Sequence, residues 1–310
     1  MIDCDVMPNP SIADLDIKLL RVFCTIVECG GFSQAQSELN LSRSTISTHM
    51  ANLETRLGFK LCSRGRAGFA LTARGGAVYE ASRSMLSSID AYHGQIGQLK
   101  ESIVGEVAIG VVDNLITNRE CRLRDAIREA LAASKDLRIV LRIGPPDQIE
   151  EYLVRGQVQM AISPEFPARK NVSQMPLFIE KQRLICGKGH PLFRVEDDAM
   201  TPELIAEQNF VRRGFVSVLT PYSAFFNRPA LAVSHQMEGL AHFILSGNCV
   251  GFLPEIYAKY WVDRQEMRVI RPDHFSFDVP ICLSRHEGPQ HTLAASHVYD
   301  TLVQVHGVEA

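Results

Sequence analysis

Ser42-Arg43-Ser44-Thr45-Ile46-Ser47-Thr48-His49-Met50-Ala51-Asn52-Leu53-Glu54-Thr55-Arg56-Leu57-Gly58 is the stretch that decides how the first part of the chain folds. Ile46, Met50, Leu53 and Leu57 follow one another at steps of four, three and four, which places them on one face of an α-helix. The opposite face carries Arg43, Ser44, Thr45, Ser47, Thr48, His49 and Asn52. These are short or hydrogen-bonding side chains of the kind that suit base edges in a major groove. Ser42 is placed to cap the helix, with Leu41 before it as a hydrophobic staple onto Ile46. Gly58 sits where a left-handed residue ends a helix. Taken alone, the segment is an amphipathic helix docked on a core; its neighbours make it more specific.

Residues 1–14 read as a tail. Asp16 is placed to cap a helix over 17–28, with Leu20, Phe23 and Val27 on one face and Gly30-Gly31 after it. Ser33-x-x-Gln36 fits a capping box for a second helix reaching about Leu39, and Asn40-Leu41-Ser42 makes a tight turn. Short helix, turn, longer polar-faced helix is the helix-turn-helix arrangement. Residues 60–62 and 69–71 fit two short strands, and Arg64 and Arg66 project from the glycine-bearing turn between them. Such a β-wing meets phosphates or the adjacent minor groove. Thr72 then caps a helix to about Leu99, in which Val78, Ser82, Met85, Ile89, Tyr92, Ile96 and Leu99 form a heptad seam broken only by Ser82. A single-striped helix roughly 40 Å long needs a partner, and a second copy is the simplest one. Gly94 and Gly97 weaken its last turns.

The 310 residues exceed one typical domain, and 46% hydrophobic content suffices for packed cores. Net charge is −3, so any attraction to nucleic acid must be local. Residues 36–75 provide it, with Arg43, Arg56, Lys60, Arg64, Arg66 and Arg74 against only Glu38 and Glu54. None of the eight cysteines forms a C-x-x-C pair, which points to reduced thiols rather than a disulfide framework. The N-terminus lacks the basic and apolar runs of a signal peptide, and no apolar stretch approaches ~20 residues. A cytoplasmic protein without a membrane span is expected.

Leu19-Leu20-x-x-Phe23, Gly31-Phe32-Ser33-x-Ala35, Leu39-x-x-Ser42, Ser47, Leu53-Glu54-x-x-Leu57-Gly58, Leu61, Arg64 and Leu71-Thr72-x-x-Gly75 together resemble the LysR-type transcriptional regulators. The likeness is close over residues 15–100 and extends beyond them in length and pattern. It implies a DNA-binding motif over 32–51, including Ser33, a wing at Arg64 and Arg66, and a linker helix over 73–99. Family members often begin the recognition helix with Gln-Pro, where this chain has Arg43-Ser44, so operator preference is expected to differ there. Cys62 stands where the wing usually has Phe.

Beyond residue 104, strands and helices alternate, as in an α/β fold with a parallel sheet. Strand patterns occur at 106–112, 137–143 and 158–162, and again at 184–186, 209–211, 250–253, 267–270 and 279–283. Helices are expected after Thr117-x-x-Glu120, with Leu123, Ile127 and Leu131 inside, after Asp147-x-x-Glu150, after Thr201-Pro202, over 236–246 and over 292–305. The expected fold is an α+β multidomain chain: a winged helix-turn-helix (15–72), a dimerisation helix (73–99) and a two-lobed α/β effector domain (104–306). The resemblance implies a periplasmic-binding-protein-like domain that crosses twice between lobes. Lobe one would span about 104–175 and 280–306, and lobe two about 176–279.

Ligands of such sheets sit at the carboxyl ends of strands, in the cleft. Candidates are Asp113 and Asn114, Gly144-Pro145, Ser163, Arg212 and Arg213, and Ser234-His235. Two arginines beside a helix N-terminus favour an organic anion, against which Asp113 would stand unless it accepts a ligand hydrogen bond. No G-x-S-x-G, Walker, H-E-x-x-H or Rossmann glycine motif is present, and no acid or thiol completes a metal cluster around His235, His242, His286 or His291. An enzyme, a cofactor or a metal is therefore not expected. The expected partners are double-stranded operator DNA, a small-molecule effector and a second copy of the chain as homodimer or homotetramer, with RNA polymerase a further candidate. Two other readings stand beside this one. A regulator could sense thiol oxidation, for instance at Cys186 and Cys249, or the lobes could form a free small-molecule-binding protein or enzyme, which leaves 15–99 unexplained.

Overall fold

In the computed structural model, which describes residues 17–65, 68–98, 103–214, 225–287 and 292–308, the chain opens with α1 (Ile17–Glu28). The 1–14 tail and Asp16 lie outside the described residues. Then come α2 (Ala35–Leu39), α3 (Arg43–Leu57), the wing strands β1 (Cys62–Gly65) and β2 (Gly68–Leu71), and α4 (Ala73–Gln98). Phe23 and Ile26 of α1 meet Ile46, Met50 and Leu53 of α3 in a core closed by Leu61. Leu57, the fourth member of the stripe, is half-buried. β1 and β2 pair antiparallel from Cys62 opposite Leu71 to Gly65 opposite Gly68. The start of α4 lies so close to β1 that a Cβ on Gly75 would stand 1.8 Å from the carbonyl oxygen of Leu61.

The expected capping box at Ser33 does not form. α2 begins at Ala35 and is not capped by a side chain. Gln36 instead spans the turn, donating from Nε2 to the Ser33 carbonyl (3.2 Å) and accepting from the Arg43 amide (3.1 Å). The seam along α4 also divides. Val78, Tyr79 and Met85 pack on the winged-helix core, and Ser82 and Leu86 are buried. Tyr79 meets Phe23 edge to face at 6.3 Å, and Arg83 pairs with Glu28 on α1. The first half of the stripe thus covers its own domain, so Val78 and Met85 offer a partner less surface than the heptad spacing suggests. Ile89 is half-buried, Tyr92 and Ile96 fall within α4, and Leu99 lies outside the described residues.

The remaining elements are β3 (Gly105–Val112), α5 (Leu123–Ala133), β4 (Leu137–Gly144), α6 (Pro146–Val154), β5 (Met160–Pro164), β6 (Val172–Gly187), α7 (Pro202–Ala206), β7 (Val211–Arg213), β8 (Ala232–Ser234), α8 (Met237–Leu245), β9 (Val250–Pro254), α9 (Glu255–Val262), β10 (Met267–Val269), β11 (Ser276–His286) and α10 (Leu293–His306). The main sheet is mixed rather than parallel. Its order is β10-β6-β11-β5-β3-β4, with β9 also on β6. Only β3 with β4 and β3 with β5 run parallel, while β11 runs antiparallel to both β5 and β6. β7 and β8 form a separate parallel pair.

Two strands serve two cores. β6 places Phe178 in a core with Ile109, Ile162 and Leu302, but Leu184 in another with Met200, Phe210 and Ile270. β11 contributes Val279 and Ile281 to the first, and Phe275, just before it, joins the second. A third cluster packs α8 and α9 on β9, with Ile185 and Val211. Helix α5 departs from the expected orientation. It begins at Leu123, after a short 3-10 turn, and buries Ala126 and Ala130 while Leu131 is 42% exposed. The two alanines face the core that α10 also fills, and large residues there would hold the helices apart. α6 likewise starts at Pro146, one residue before the expected Asp147. The chain forms two compact units, residues 1–90 and 91–310. Among the described residues no helix is long and apolar enough to cross a membrane.

Candidate functional site

The polar face of α3 is held out by its buried one. Ser42 caps the helix by accepting from the Thr45 amide (3.2 Å), and its hydroxyl also meets those of Ser44 and Thr45 at 2.8 Å. Thr48 donates to the Ser44 carbonyl (3.0 Å). Arg43, Ser44, Thr48 and Asn52 are exposed, and Thr45, Ser47 and His49 are half-buried. Gly58 ends the helix at φ 77°. Ser33 is exposed at the entry to α2. Arg64 lies on β1 opposite Phe69, whose ring meets Phe32 at 6.0 Å, and Arg66 is outside the described residues. One contributor was not singled out from sequence. The buried Glu54 carboxylate accepts from Lys60 Nζ (2.6 Å) and the Leu61 amide (2.9 Å), tying α3 to the wing. Burial alone would raise its pKa, but the Lys60 and Leu61 hydrogen bonds outweigh this and hold it below the usual range.

In the second unit, the ends of β3 and β7 meet the start of α8. A small cavity there, about 20 Å³, is lined by Asp113, Asn114, Glu180, Arg213, His235 and Met237, among others. Asp113 closes one side by accepting from the Met237 amide, the first residue of α8, at 2.5 Å. Arg213 is 6% exposed and donates to Gln182 Oε1 (2.8 Å), and Gln182 donates to Glu180 (2.8 Å), itself 7% exposed. Asn114 reaches the other Glu180 oxygen at 3.5 Å. Burial pushes the carboxyls of Asp113 and Glu180 above their ordinary values, although Arg213 draws both down. Burial lowers the pKa of Arg213, opposed by the same two carboxylates.

Four expected cleft residues thus line the cavity: Asp113, Asn114, Arg213 and His235. Three do not. Ser163 is 1% exposed, with its hydroxyl bonded to the Pro164 carbonyl, because β5 is buried along its whole length. Pro146 rather than Pro145 reaches the cavity. Arg212 alternates outward from Arg213 on β7 and is exposed. Glu180 and Gln182 were missed. Their signal was parity, since they share a strand face with buried Phe178 and Leu184. Cys186 and Cys249 are both buried, and burial pushes their thiols up to about 11, which disfavours the thiolate that oxidation requires. Among the described residues, no group of His, Cys, Asp or Glu is arranged to hold a metal ion.

A winged helix-turn-helix followed by an α/β unit with a polar cavity defines a DNA-binding regulator with an effector-binding domain. Residues 17–76 match the family model described as a bacterial regulatory helix-turn-helix protein of the lysR family, and residues 100–307 match the LysR substrate binding domain. The chain belongs to the LysR-type transcriptional regulators. It is 36% identical over 287 residues to the HTH-type transcriptional activator BauR of Pseudomonas aeruginosa, covering 90% of this chain and 93% of that one. It is 31% identical to the HTH-type transcriptional activator AaeR of Escherichia coli, covering 86% and 85%. Among solved structures, it resembles the probable transcriptional regulator PA0477 of Pseudomonas aeruginosa (TM-score 0.64, 17% identity, 97% and 99% covered). It also resembles full-length CbnR complexed with its target DNA (TM-score 0.62, 18% identity, 94% and 99% covered).

Proposed function

We propose that this regulator reads a two-half-site operator with α3 and is switched by a small molecule taken into the cavity beside Arg213. The observation that carries the DNA reading is the exposed Arg43, Ser44, Thr48 and Asn52 face on a helix whose other face is locked in the core. Arg43, Ser44, Thr45, Ser47, Thr48 and His49 read bases, with Ser33, Arg64 and Arg66 on the backbone. The working domains are 15–72 for DNA binding, 73–99 for dimerisation and 104–306 for the effector. Two copies are joined through the later turns of α4, from Ile89 onward, since the earlier turns cover their own domain. Tetramers of such dimers and contact with RNA polymerase complete the reading. Effector binding acts through different affinity for two arrangements of the oligomer.

Of the two arginines from which an organic anion was expected, only Arg213 lines the cavity, where it is hydrogen-bonded to Gln182 and two carboxylates share its charge. The test of the DNA reading is genomic footprinting of the full chain, followed by titration of the recovered site. Arg43→Ala should cost about 1–3 kcal/mol and relax base preference. Arg66→Ala should weaken binding on all sequences and reduce the salt slope by about one. Recovery of no preferred genomic site would sink the reading.

A further inference from the structure

The cavity beside Arg213 carries an excess of negative charge. Asp113 and Glu180 face one guanidinium, and the fourth ionisable lining residue is His235. The residues that continue from β7, 215–224, include no charged side chain in sequence. Among the described residues, Glu180 accepts hydrogen bonds from neutral amide groups, those of Gln182 and Asn114. Arg213 meets Gln182 and the Met237 sulfur, at 2.8 and 3.6 Å. The guanidinium's charge is therefore shared between two carboxylates, Glu180 and Asp113. A buried carboxylate without a full counter-charge is costly, and a ligand cation offsets that cost. The space of about 20 Å³ admits a group the size of a water molecule, which is also the size of an ammonium head.

From this balance we infer that the effector carries a protonated amine, seated between Asp113 and Glu180. The inference rests on the reading of this cavity as the effector site and adds its chemistry. An amine donates up to three hydrogen bonds, and Asp113 and Glu180, both lining the cavity, supply carboxylate acceptors. The remainder of the ligand is either neutral, as in an alkylamine, or bears a carboxylate, as in an amino acid. In the second case the Met237 amide at the start of α8, now occupied by Asp113, and the nearby guanidinium form its anionic pole. Asp113 then exchanges a bond within the protein for one to the ligand, and this exchange separates the ligand-free from the ligand-bound arrangement.

Isothermal titration of the full chain tests this with butylamine, the protein amino acids, their ω-amino isomers, and butyrate and propionate as amine-free controls. At least one amine should bind saturably, the two amine-free acids should not, and butylamine against the amino acids shows whether the anionic pole is used. Glu180→Gln, isosteric and neutral, should weaken that binding about ten- to hundredfold, as expected for loss of a charge-assisted hydrogen bond. Asp113→Asn should do likewise, which guards against one variant failing to fold. Binding of butyrate as tight as any amine, an affinity unchanged in both variants, or uptake of no amine at all would each overturn the inference. Footprinting of the wild-type chain is scored separately. A chain that occupies its genomic site but takes no amine refutes the amine and spares the regulator, whereas an amine bound without any preferred site does the reverse.

Discussion

Replacing Arg213 with methionine keeps most of the side-chain volume and removes the charge that stands between Asp113 and Glu180. Gln182 Oε1 also loses its donor at 2.8 Å. Breaking a buried ionic set by removing one partner costs about 3–5 kcal/mol, since the remaining charges stay buried and unpaired. For a folding unit of this size each kcal/mol moves Tm by roughly 2–4 °C, so a drop of about 6–20 °C is expected. The chain's single tryptophan, Trp261 on α9, reports the unfolding of this unit without labels. The loss has a signature in pH. Both carboxyls are already raised in the folded state, so the folded form takes up their protons before the unfolded form does. Ionisation at neutral pH therefore opposes folding, and acidification through the folded pKa values relieves it. The deficit of Arg213→Met should shrink as pH falls from neutral through the folded pKa values of the two carboxyls, and Arg213→Met with Glu180→Gln should recover much of it. A Tm within about 3 °C of the wild type at neutral pH, or a deficit that acid leaves unchanged, would refute the reasoning.

Gly75→Ala should lower the Tm of the first unit by an overpacking cost of about 1–3 kcal/mol, although alanine is the better helix former, because its Cβ meets the Leu61 carbonyl at 1.8 Å. An unchanged or higher Tm speaks against that packing. Glu54→Gln should cost about 1–3 kcal/mol at neutral pH. Because the folded pKa of Glu54 is lowered from 4.5, its contribution is present above that value and disappears as pH falls through the folded pKa, so melts of wild type and variant should converge there. Alkylation of the native chain at mildly alkaline pH, read by mass spectrometry, should leave Cys24, Cys186, Cys249 and Cys282 unmodified, since each is buried with its thiol pushed up to about 11. Rapid labelling of Cys186 or Cys249 would revive a redox signal.

The helix-turn-helix was legible because its information is local. Ile46, Met50 and Leu53 are spaced by the helix period, and Ser42 and Gly58 cap the segment they belong to. Ser33 misled because a capping box competes with any better use of the glutamine, and Gln36 found one across the turn at Arg43. In α5, hydropathy favoured Leu131 as a core residue, yet close packing went to Ala126 and Ala130, whose value lies in what they leave out. The cleft was half legible. Asp113 follows a strand whose end could be placed from pattern, whereas Arg213 is the last residue of β7, which runs two residues beyond the expected 209–211. Glu180 was hidden inside the long strand β6, and only its contact with Asn114 and its pull on Arg213, both far away in sequence, give it a role.

The strand that carries Glu180 also joins the two cores. Phe178 belongs to one and Leu184 to the other, and beside it the chain passes from Phe275 in the second core into antiparallel β11, whose Val279 and Ile281 lie in the first, with a register irregularity at Ile281 and Cys282. Glu180 lies between Phe178 and Leu184 on β6, on the stretch of strand that passes from one core to the other. Under the proposed function, a charge settling on that carboxylate would load a strand shared by both cores and need no relay through the protein to reach either.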